Sequence, residues 1–138
     1  METAYSSQLY LKIVCRCLAV ALWSLLILTL THWPADAAIT ESFLQVPYAD
    51  KPVHFALYFV LGWLTWYRRS PRTAEWGAFL LFAAADELTQ PWFARTADLL
   101  DWCADGLGLA AALVAADLLN RSRRPLDWKY ERDKGAKP

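Results

Sequence analysis

Four long apolar segments alternate with short charged segments along the chain, and each apolar segment has the length of a helix. The first has no polar face, which argues against a core helix of a soluble protein. The second extends from Asp50 to Arg68, about 27 Å at the helical rise and close to a hydrocarbon thickness of about 30 Å. Pro91 ends the third. The pattern predicts an all-α polytopic membrane protein, an antiparallel bundle of four transmembrane helices over about residues 13–33, 52–67, 73–90 and 98–120.

The first apolar segment has two interpretations. Lys12 and Arg16 precede it, and Ala35-Asp36-Ala37 follows it as a small-x-small motif, which is the pattern of a secretory signal peptide. The other interpretation is a retained membrane helix. We favour retention because every later segment also has the composition of a membrane helix. A domain of residues 1–120, which opens with a polar lead from Met1 to Leu11, then precedes a charged cytoplasmic tail of residues 121–138.

Composition limits the class of protein. The chain has 138 residues, enough for one domain, and 57% of them are hydrophobic. Mean hydropathy is nevertheless only +0.17, because the charges gather in the short segments and the tail. The formal net charge is zero, which argues against a nucleic-acid partner. The three cysteines form no C-x-x-C pair, and we interpret them as unpaired thiols of the core type.

Basic residues lie on one side of the predicted four-helix arrangement. They occur before the first apolar segment, between the second and third, and after the fourth. The opposite side carries acids, with only Lys51 and Arg95 as bases. By the positive-inside rule both termini are cytoplasmic, and the acidic ends of the second, third and fourth helices are exoplasmic. The basic side comprises Lys12, Arg16, Arg68, Arg69, Arg72, Arg121, Arg123 and Arg124.

Acidic side chains concentrate in the stretch from Asp86 to Gly108, between the third and fourth apolar segments. Residues three or four apart share one face of a helix, so the spacing gathers these side chains into stripes. We expect the stripes to meet, with Ala112 and Ala115 continuing a seam of small residues that allows close helix approach. The stripes are Asp50, His54 and Tyr58 in the second helix and Asp98, Asp101, Asp105 and Gly108 in the fourth, while in the third Asp86 lies four residues and Glu87 three residues before Gln90.

The helical rise also assigns depths to these residues. Asp105 lies roughly 10 Å below Asp98, and Asp86 lies about 6 Å below the end of its helix. We therefore predict that Asp86 and Asp105 form the buried pair, while Lys51, Arg95 and Asp98 form a rim.

The cluster holds more acid than base, since six carboxylates face only two permanent cations and one histidine. Crowded carboxylates repel one another, so some must be protonated or must hold a cation. The cofactor that this pattern suggests is a divalent cation bound by Asp86, Asp101 and Asp105.

A structural interpretation of the cluster is also open. Arg95 would clamp Asp98 and Asp101, Lys51 would pair with Glu87, and these pairs would fix the register of the bundle. Charges within a membrane cost several kcal/mol each unless they are paired, which favours a function without requiring one.

Three motifs occur in a recognisable order. They are D-K-x-x-H-F-x-x-Y at Asp50–Tyr58, D-E-x-x-Q at Asp86–Gln90, and R-x-x-D-x-x-D from Arg95 with a late Gly108. With these motifs the chain resembles the VanZ-like membrane proteins over about residues 12–120. The resemblance implies a small integral protein of the bacterial cytoplasmic membrane, linked to glycopeptide (teicoplanin) resistance, and it implies no particular reaction. The family's signature residues fall on Asp50, Lys51, His54, Glu87, Gln90, Arg95, Asp101 and Gly108.

Two positions depart from the family pattern. Asp105 stands where the family usually has asparagine, and Ala94 stands where glycine is common before the arginine. The first departure adds a negative charge at depth, which argues against a role that needs a neutral amide there.

Two classes of function follow. In the first, the cluster is a binding or catalytic site for an envelope component, such as a lipid-linked cell-wall precursor or a phospholipid headgroup. Glu87 or Asp101 would act as general base and His54 as proton carrier, with phosphate held at the rim. In the second, the protein is a membrane interaction module without chemistry of its own. The residues predicted to bind the substrate are Asp50, Lys51, Gln90, Arg95 and Asp98.

Overall fold

The computed structural model describes residues 2–33, 48–69 and 73–122. These residues contain four α-helices, one 3-10 helix and no strand, so the predicted all-α class is confirmed for them. The predicted cleavage motif at residues 35–37 and residues 123–138 of the predicted tail lie outside this range. The elements are α1 (Glu2–Thr31), α2 (Asp50–Trp66), α3 (Thr73–Thr89), the 3-10 helix (Gln90–Phe93) and α4 (Leu99–Ser122).

Helix α1 begins at Glu2, well before the predicted start near residue 13. The expected polar lead, Met1 to Leu11, is therefore helical from its second residue onward. Polarity does not by itself end a helix, and this lead contains neither glycine nor proline. Good helix formers such as Gln8 and Leu9 allow the helix to run without a break into the apolar segment.

Helix α3 ends where Pro91 prevents its continuation. The proline has no amide hydrogen, and the chain tightens into the 3-10 helix with Pro91 in its first turn. Ala94 then adopts a left-handed backbone conformation, with φ 58° and ψ 31°, and its N–H donates to the Gln90 carbonyl oxygen. Glycine adopts this conformation most easily, which gives a physical reason for the glycine of the VanZ-like pattern at this position.

Hydrogen bonds between helices establish the direction of each one. At one end of the bundle, Arg16 donates to the Tyr67 carbonyl oxygen at 3.0 Å, and Asn120 donates to the Arg69 carbonyl oxygen at 2.9 Å. At the other end, the last residue of α1 bonds to the C-terminal half of α3. Consecutive helices therefore alternate in direction, and α2 and α4 run parallel to each other.

Helices α2 and α4 make the most extensive helix contact in the described chain. Gly108 packs against the backbone of α2 so closely that an added Cβ would overlap the Phe55 carbonyl oxygen. A Cβ on Gly62 would lie 2.8 Å from the Cβ of Ala112. The predicted small-residue seam is thus present at Gly108 and Ala112. It continues through buried Ala116 rather than through Ala115, the residue that the sequence predicted. A step of four keeps this face toward α2.

The buried core is small, and many large apolar side chains point outward. Tyr58, Leu61 and Trp66 of α2 are fully buried, and they pack with residues of the other helices. The three cysteines are exposed and unpaired, so the expectation of core-type thiols is wrong in its placement. The exposed apolar side chains include Leu11, Leu18, Leu22 and Leu25 in α1, Leu81 and Leu88 in α3, and Leu99, Leu107 and Leu118 in α4.

Two helices of the described chain are long and apolar enough to cross a membrane. They are Ser7–Thr31, within α1, and Leu99–Ser122, which is α4. Only 6% of the most apolar 18-residue stretch of the first span is buried inside the protein. Apart from Ile27, which is fully buried, and Val20 and Trp23, which pack against the core, its apolar side chains therefore face largely outward, as expected of a helix whose surroundings are apolar.

Candidate functional site

Lys51, in the first turn of α2, is the basic partner of three carboxylates at one end of the bundle. Its Nζ lies 3.1 Å from Asp50 Oδ2 and 2.7 Å from Asp101 Oδ1, and it donates a hydrogen bond to Asp98 Oδ2. This bond from Lys51 holds the pKa of the Asp98 carboxyl below its ordinary value. We call Lys51, Asp50, Asp98 and Asp101 the outer group. One ammonium thus joins α2 to the start of α4.

Asp98 also caps α4. Its Oδ1 accepts a hydrogen bond from the Leu100 N–H at 2.9 Å, as expected of an aspartate just before a helix. Its own N–H donates to Glu87 Oε2 at 3.0 Å. Asp98 therefore ties the beginning of α4 both to Lys51 and to α3.

His54 lies one turn deeper in α2, among three carboxylates. Its Nδ1 is 3.0 Å from Asp105 Oδ1 and 3.7 Å from Glu87 Oε1, while its Nε2 is 3.9 Å from Asp101 Oδ2. All four side chains are buried. We call His54, Glu87 and Asp105 the inner group. The residues predicted to be catalytic, His54, Glu87 and Asp101, therefore meet in one place.

Gln90 completes the surroundings of the inner group. Its Nε2 donates to Glu87 Oε1 at 2.7 Å. Gln90 Oε1 and Asp105 Oδ2 are buried, yet neither accepts a hydrogen bond from the described part of the chain. Buried polar atoms are normally paired, so these two oxygens are spare acceptors next to the inner group.

Asp86 belongs to a different polar network, which faces α1. Its carboxylate accepts a hydrogen bond from Thr31 Oγ1 at 2.7 Å, and the Tyr58 hydroxyl donates to it at 3.5 Å. His32 Nδ1 lies 3.4 Å from Asp86 Oδ1, and His32 Nε2 lies 2.8 Å from Thr89 Oγ1. The sequence predicted only an interfacial position for His32 at the end of the first helix and no role for Thr31, and its only signal was two polar residues at the end of an apolar helix.

The predicted metal set of Asp86, Asp101 and Asp105 is not brought together. Asp86 and Asp105 are both buried, as predicted, but the residues that approach Asp105 with ligand spacing are His54 and Glu87. Adjacent residues on a helix point about 100° apart, so Asp86 and Glu87 cannot both face α4. Glu87 takes that direction and Asp86 takes the direction of α1.

Arg95 is half-buried and makes no ion pair with any described residue. Its backbone N–H bonds to the Gln90 carbonyl oxygen at 3.4 Å. The structural interpretation expected Arg95 to clamp Asp98 and Asp101, whereas both acids belong to the outer group around Lys51. The expected pairing of Lys51 with Glu87 is likewise absent from the described ion pairs. The guanidinium of Arg95 is left without a carboxylate partner in this part of the chain.

The chain matches no protein-family model, and no curated protein or solved structure matches it.

The residues predicted to bind a substrate have three different surroundings. Asp50, Lys51 and Asp98 are in the outer group, Gln90 holds Glu87, and Arg95 stands apart.

Proposed function

We propose that this chain is a VanZ-like integral membrane protein whose four helices cross the bacterial cytoplasmic membrane. Both termini would be cytoplasmic, and the outer and inner groups would lie on the exoplasmic side. Two helices have the length and composition of membrane spans. Helices α2 and α3 have 17 residues each, about 26 Å at the helical rise, which fits a thin or locally adjusted bilayer. Contacts between residues of all three motifs also support the assignment.

The exoplasmic end of the bundle would bind a phosphate-bearing envelope molecule, either a phospholipid headgroup or a lipid-linked cell-wall precursor. The observation that supports this function is that the Arg95 guanidinium pairs with no described carboxylate. Lys51 satisfies the acids that Arg95 was expected to clamp, which leaves the Arg95 guanidinium without a described acid. Arginine binds phosphate oxygens through two parallel hydrogen bonds, and its half-buried position suits a headgroup at the rim of the bundle.

The residues next to the rim suit proton transfer to or from the bound molecule. His54 Nδ1 lies 3.0 Å from Asp105 Oδ1, and the ring also approaches two further carboxylates, Glu87 through Nδ1 at 3.7 Å and Asp101 through Nε2 at 3.9 Å. Either acid would serve as general base, with His54 as the proton carrier. A changed susceptibility to glycopeptides is the cellular consequence that we expect of such a site.

The outer group favours a second candidate function, a membrane interaction module whose charges are structural. One ammonium shared by three carboxylates joins α2 to α4 without any need for a ligand. In this alternative Arg95 has no ligand, and the envelope lipids are unaffected by the protein.

The variant Arg95→Ala separates the two candidates. Because Asp98 and Asp101 keep Lys51, the variant should accumulate and melt in detergent nearly as the parent does. It should lose the phosphate-bearing lipids that remain bound to the parent, as identified by native mass spectrometry. The matched control is Arg121→Ala, which removes an exposed arginine paired with Asp117 at the opposite end of α4 and should retain those lipids.

In cells, a deletion strain that expresses Arg95→Ala should have the teicoplanin susceptibility of the deletion strain itself. If Arg95→Ala fails to accumulate, Arg95 supports the fold and the binding function loses its basis. Equal amounts of bound lipid in Arg95→Ala and the parent would also contradict it.

A further inference from the structure

The inner group has the geometry of a metal site. His54 Nδ1 lies 3.0 Å from Asp105 Oδ1 and 3.7 Å from Glu87 Oε1. One ligand atom from each of the three residues lies within 4.8 Å of the other two. Bonds of about 2.1 Å at angles of about 90° to 110° would place the ligand atoms of a bound metal about 3.0–3.5 Å apart. These three side chains would therefore need only small movements to coordinate one ion.

Unpaired acceptors at the same place are an independent sign of a ligand. Asp105 is fully buried and Gln90 is 1% exposed, yet Asp105 Oδ2 and Gln90 Oε1 accept no hydrogen bond from the described residues. The amide of Gln90 lies beside the inner group, because its Nε2 donates to Glu87 Oε1. A cation would satisfy such oxygens, whereas an empty buried site would leave them unpaired.

Charge distinguishes the inner group from the outer group. The carboxylates of Asp50, Asp98 and Asp101 are also close enough to share an ion, but the Lys51 ammonium already contacts all three. No lysine or arginine of the described chain pairs with Glu87 or Asp105. Two carboxylates and a neutral imidazole would balance the charge of one divalent cation.

We propose that His54, Glu87 and Asp105 bind one divalent transition-metal ion, with the Gln90 carbonyl oxygen beside it. A nitrogen ligand with carboxylate oxygens suits Zn²⁺, Mn²⁺, Fe²⁺ or Co²⁺, whereas Mg²⁺ and Ca²⁺ prefer oxygen ligands alone. The site differs from the set of Asp86, Asp101 and Asp105 that the sequence suggested. It shares no residue with the phosphate site at Arg95, and with Glu87 bound to the ion, Asp101 is the acid that remains to serve as general base.

The test uses the full chain, purified in detergent without a polyhistidine tag and stripped of metal with a chelator. Equilibrium dialysis against Zn²⁺ should give one ion per chain, and added Co²⁺ should give a visible absorption spectrum that Zn²⁺ abolishes. Asp105→Asn and Glu87→Gln keep the side-chain shape and remove one charged ligand each. We expect each to weaken Zn²⁺ binding at least about 100-fold. Even mutation of a group that only hydrogen-bonds to a metal ligand typically lowers metal affinity 10- to 100-fold.

Two controls make the result specific. Asp117→Asn makes the same change on the same helix, at an acid paired with Arg121, and should bind Zn²⁺ as the parent does. Arg95→Ala should also bind Zn²⁺ normally, so that failure of this site and failure of the lipid site are distinguishable. Circular dichroism should show that every variant keeps the helical content and cooperative melting of the parent.

The parent chain decides the matter even if an inner-group variant does not fold. If the metal-free parent takes up no Zn²⁺ or Co²⁺ above the level of an unrelated membrane protein in the same detergent, the site does not exist. If Asp86→Asn weakens binding as much as Asp105→Asn does, the ion is held by a different set of residues. Either result would overturn the proposal.

Discussion

Lys51 and Arg95 carry the same charge at the same end of the bundle but have different surroundings. Lys51 contacts Asp50, Asp98 and buried Asp101, and its own side chain is largely shielded from solvent. Arg95 has none of these contacts, although both bases were expected at the rim. The flexible stem of lysine lets a compact ammonium settle between several carboxylates. Lys51 is therefore the base on which the fold of this end depends.

We predict that Lys51→Met destabilises the protein by about 3–5 kcal/mol at neutral pH, the usual cost of removing one partner of a buried ion pair. The substitution keeps most of the apolar stem and removes only the charge that Asp101 needs. The change in stability is measured by denaturation in detergent, followed by circular dichroism. Lys12→Met, at an exposed lysine of α1, is the control and should change little.

The stability difference between the parent and Lys51→Met should depend on pH in one direction. The pKa of Asp98 is lowered by its hydrogen bond from Lys51, so the stability that this bond contributes is present above the ordinary aspartate pKa of about 3.9. It is lost as the pH falls through the lowered pKa. The difference between the parent and Lys51→Met should therefore shrink in strong acid. A difference that is the same at all pH values would mean that the methionine disturbs packing rather than charge.

At the scale of the elements, the closest helices are the parallel pair α2 and α4, which are not consecutive in the chain. Two close approaches account for this, Gly108 against the α2 backbone and Gly62 against Ala112. Each lets the helix axes come nearer than large side chains would allow. This approach brings His54 within reach of Asp105, so the geometry of the inner group depends on a glycine one turn below it.

We predict that Gly108→Ala destabilises the bundle by about 1–3 kcal/mol or more, because its Cβ would overlap the backbone of Phe55 and force the helices apart. Gly106→Ala is the matched control on the same helix. Its Cβ would lie 3.5 Å from Leu80 Cδ2, an ordinary contact, and alanine favours the helix by about 1 kcal/mol. Gly106→Ala should therefore be neutral or stabilising in the same denaturation assay. Equal behaviour of the two variants would show that α2 and α4 are not in close contact in solution.

At the scale of the whole molecule, the charges divide between the two ends of the bundle. Arg16, Arg69 and Arg121 lie at one end, where Arg16 donates to the Tyr67 carbonyl oxygen just after α2 and Arg69 donates to the Thr65 carbonyl oxygen within it. The outer and inner groups lie at the other end. The sides of the helices between these ends expose mostly apolar side chains. The proposed orientation places the basic end in the cytoplasm.

The orientation can be measured by cysteine labelling in a background that lacks Cys15, Cys17 and Cys103, since all three are exposed. A membrane-impermeant maleimide added to spheroplasts should label Thr96→Cys, next to the outer group. It should label Ser122→Cys, at the end of α4, only after the membrane is opened with detergent. The reverse pattern would place the acidic end in the cytoplasm, and equal labelling of both would argue against a span by α4.

The sequence by itself determined the four helices and most of their ends, because backbone hydrogen bonds within a helix need no partner from another segment and each apolar segment is long enough for a helix. The start of α1 is the exception, since Glu2 lies well before its apolar segment. It also determined the stripes, since residues three or four apart share a face, so His54, Glu87, Asp101 and Asp105 could be expected near one another. Only the tertiary structure decided which acid each base contacts and that Glu87 rather than Asp86 faces α4. Those choices depend on the rotation and separation of whole helices. Contacts between residues distant in sequence set this rotation and separation, above all the packing of Gly108 against α2. No local sequence pattern predicts that packing.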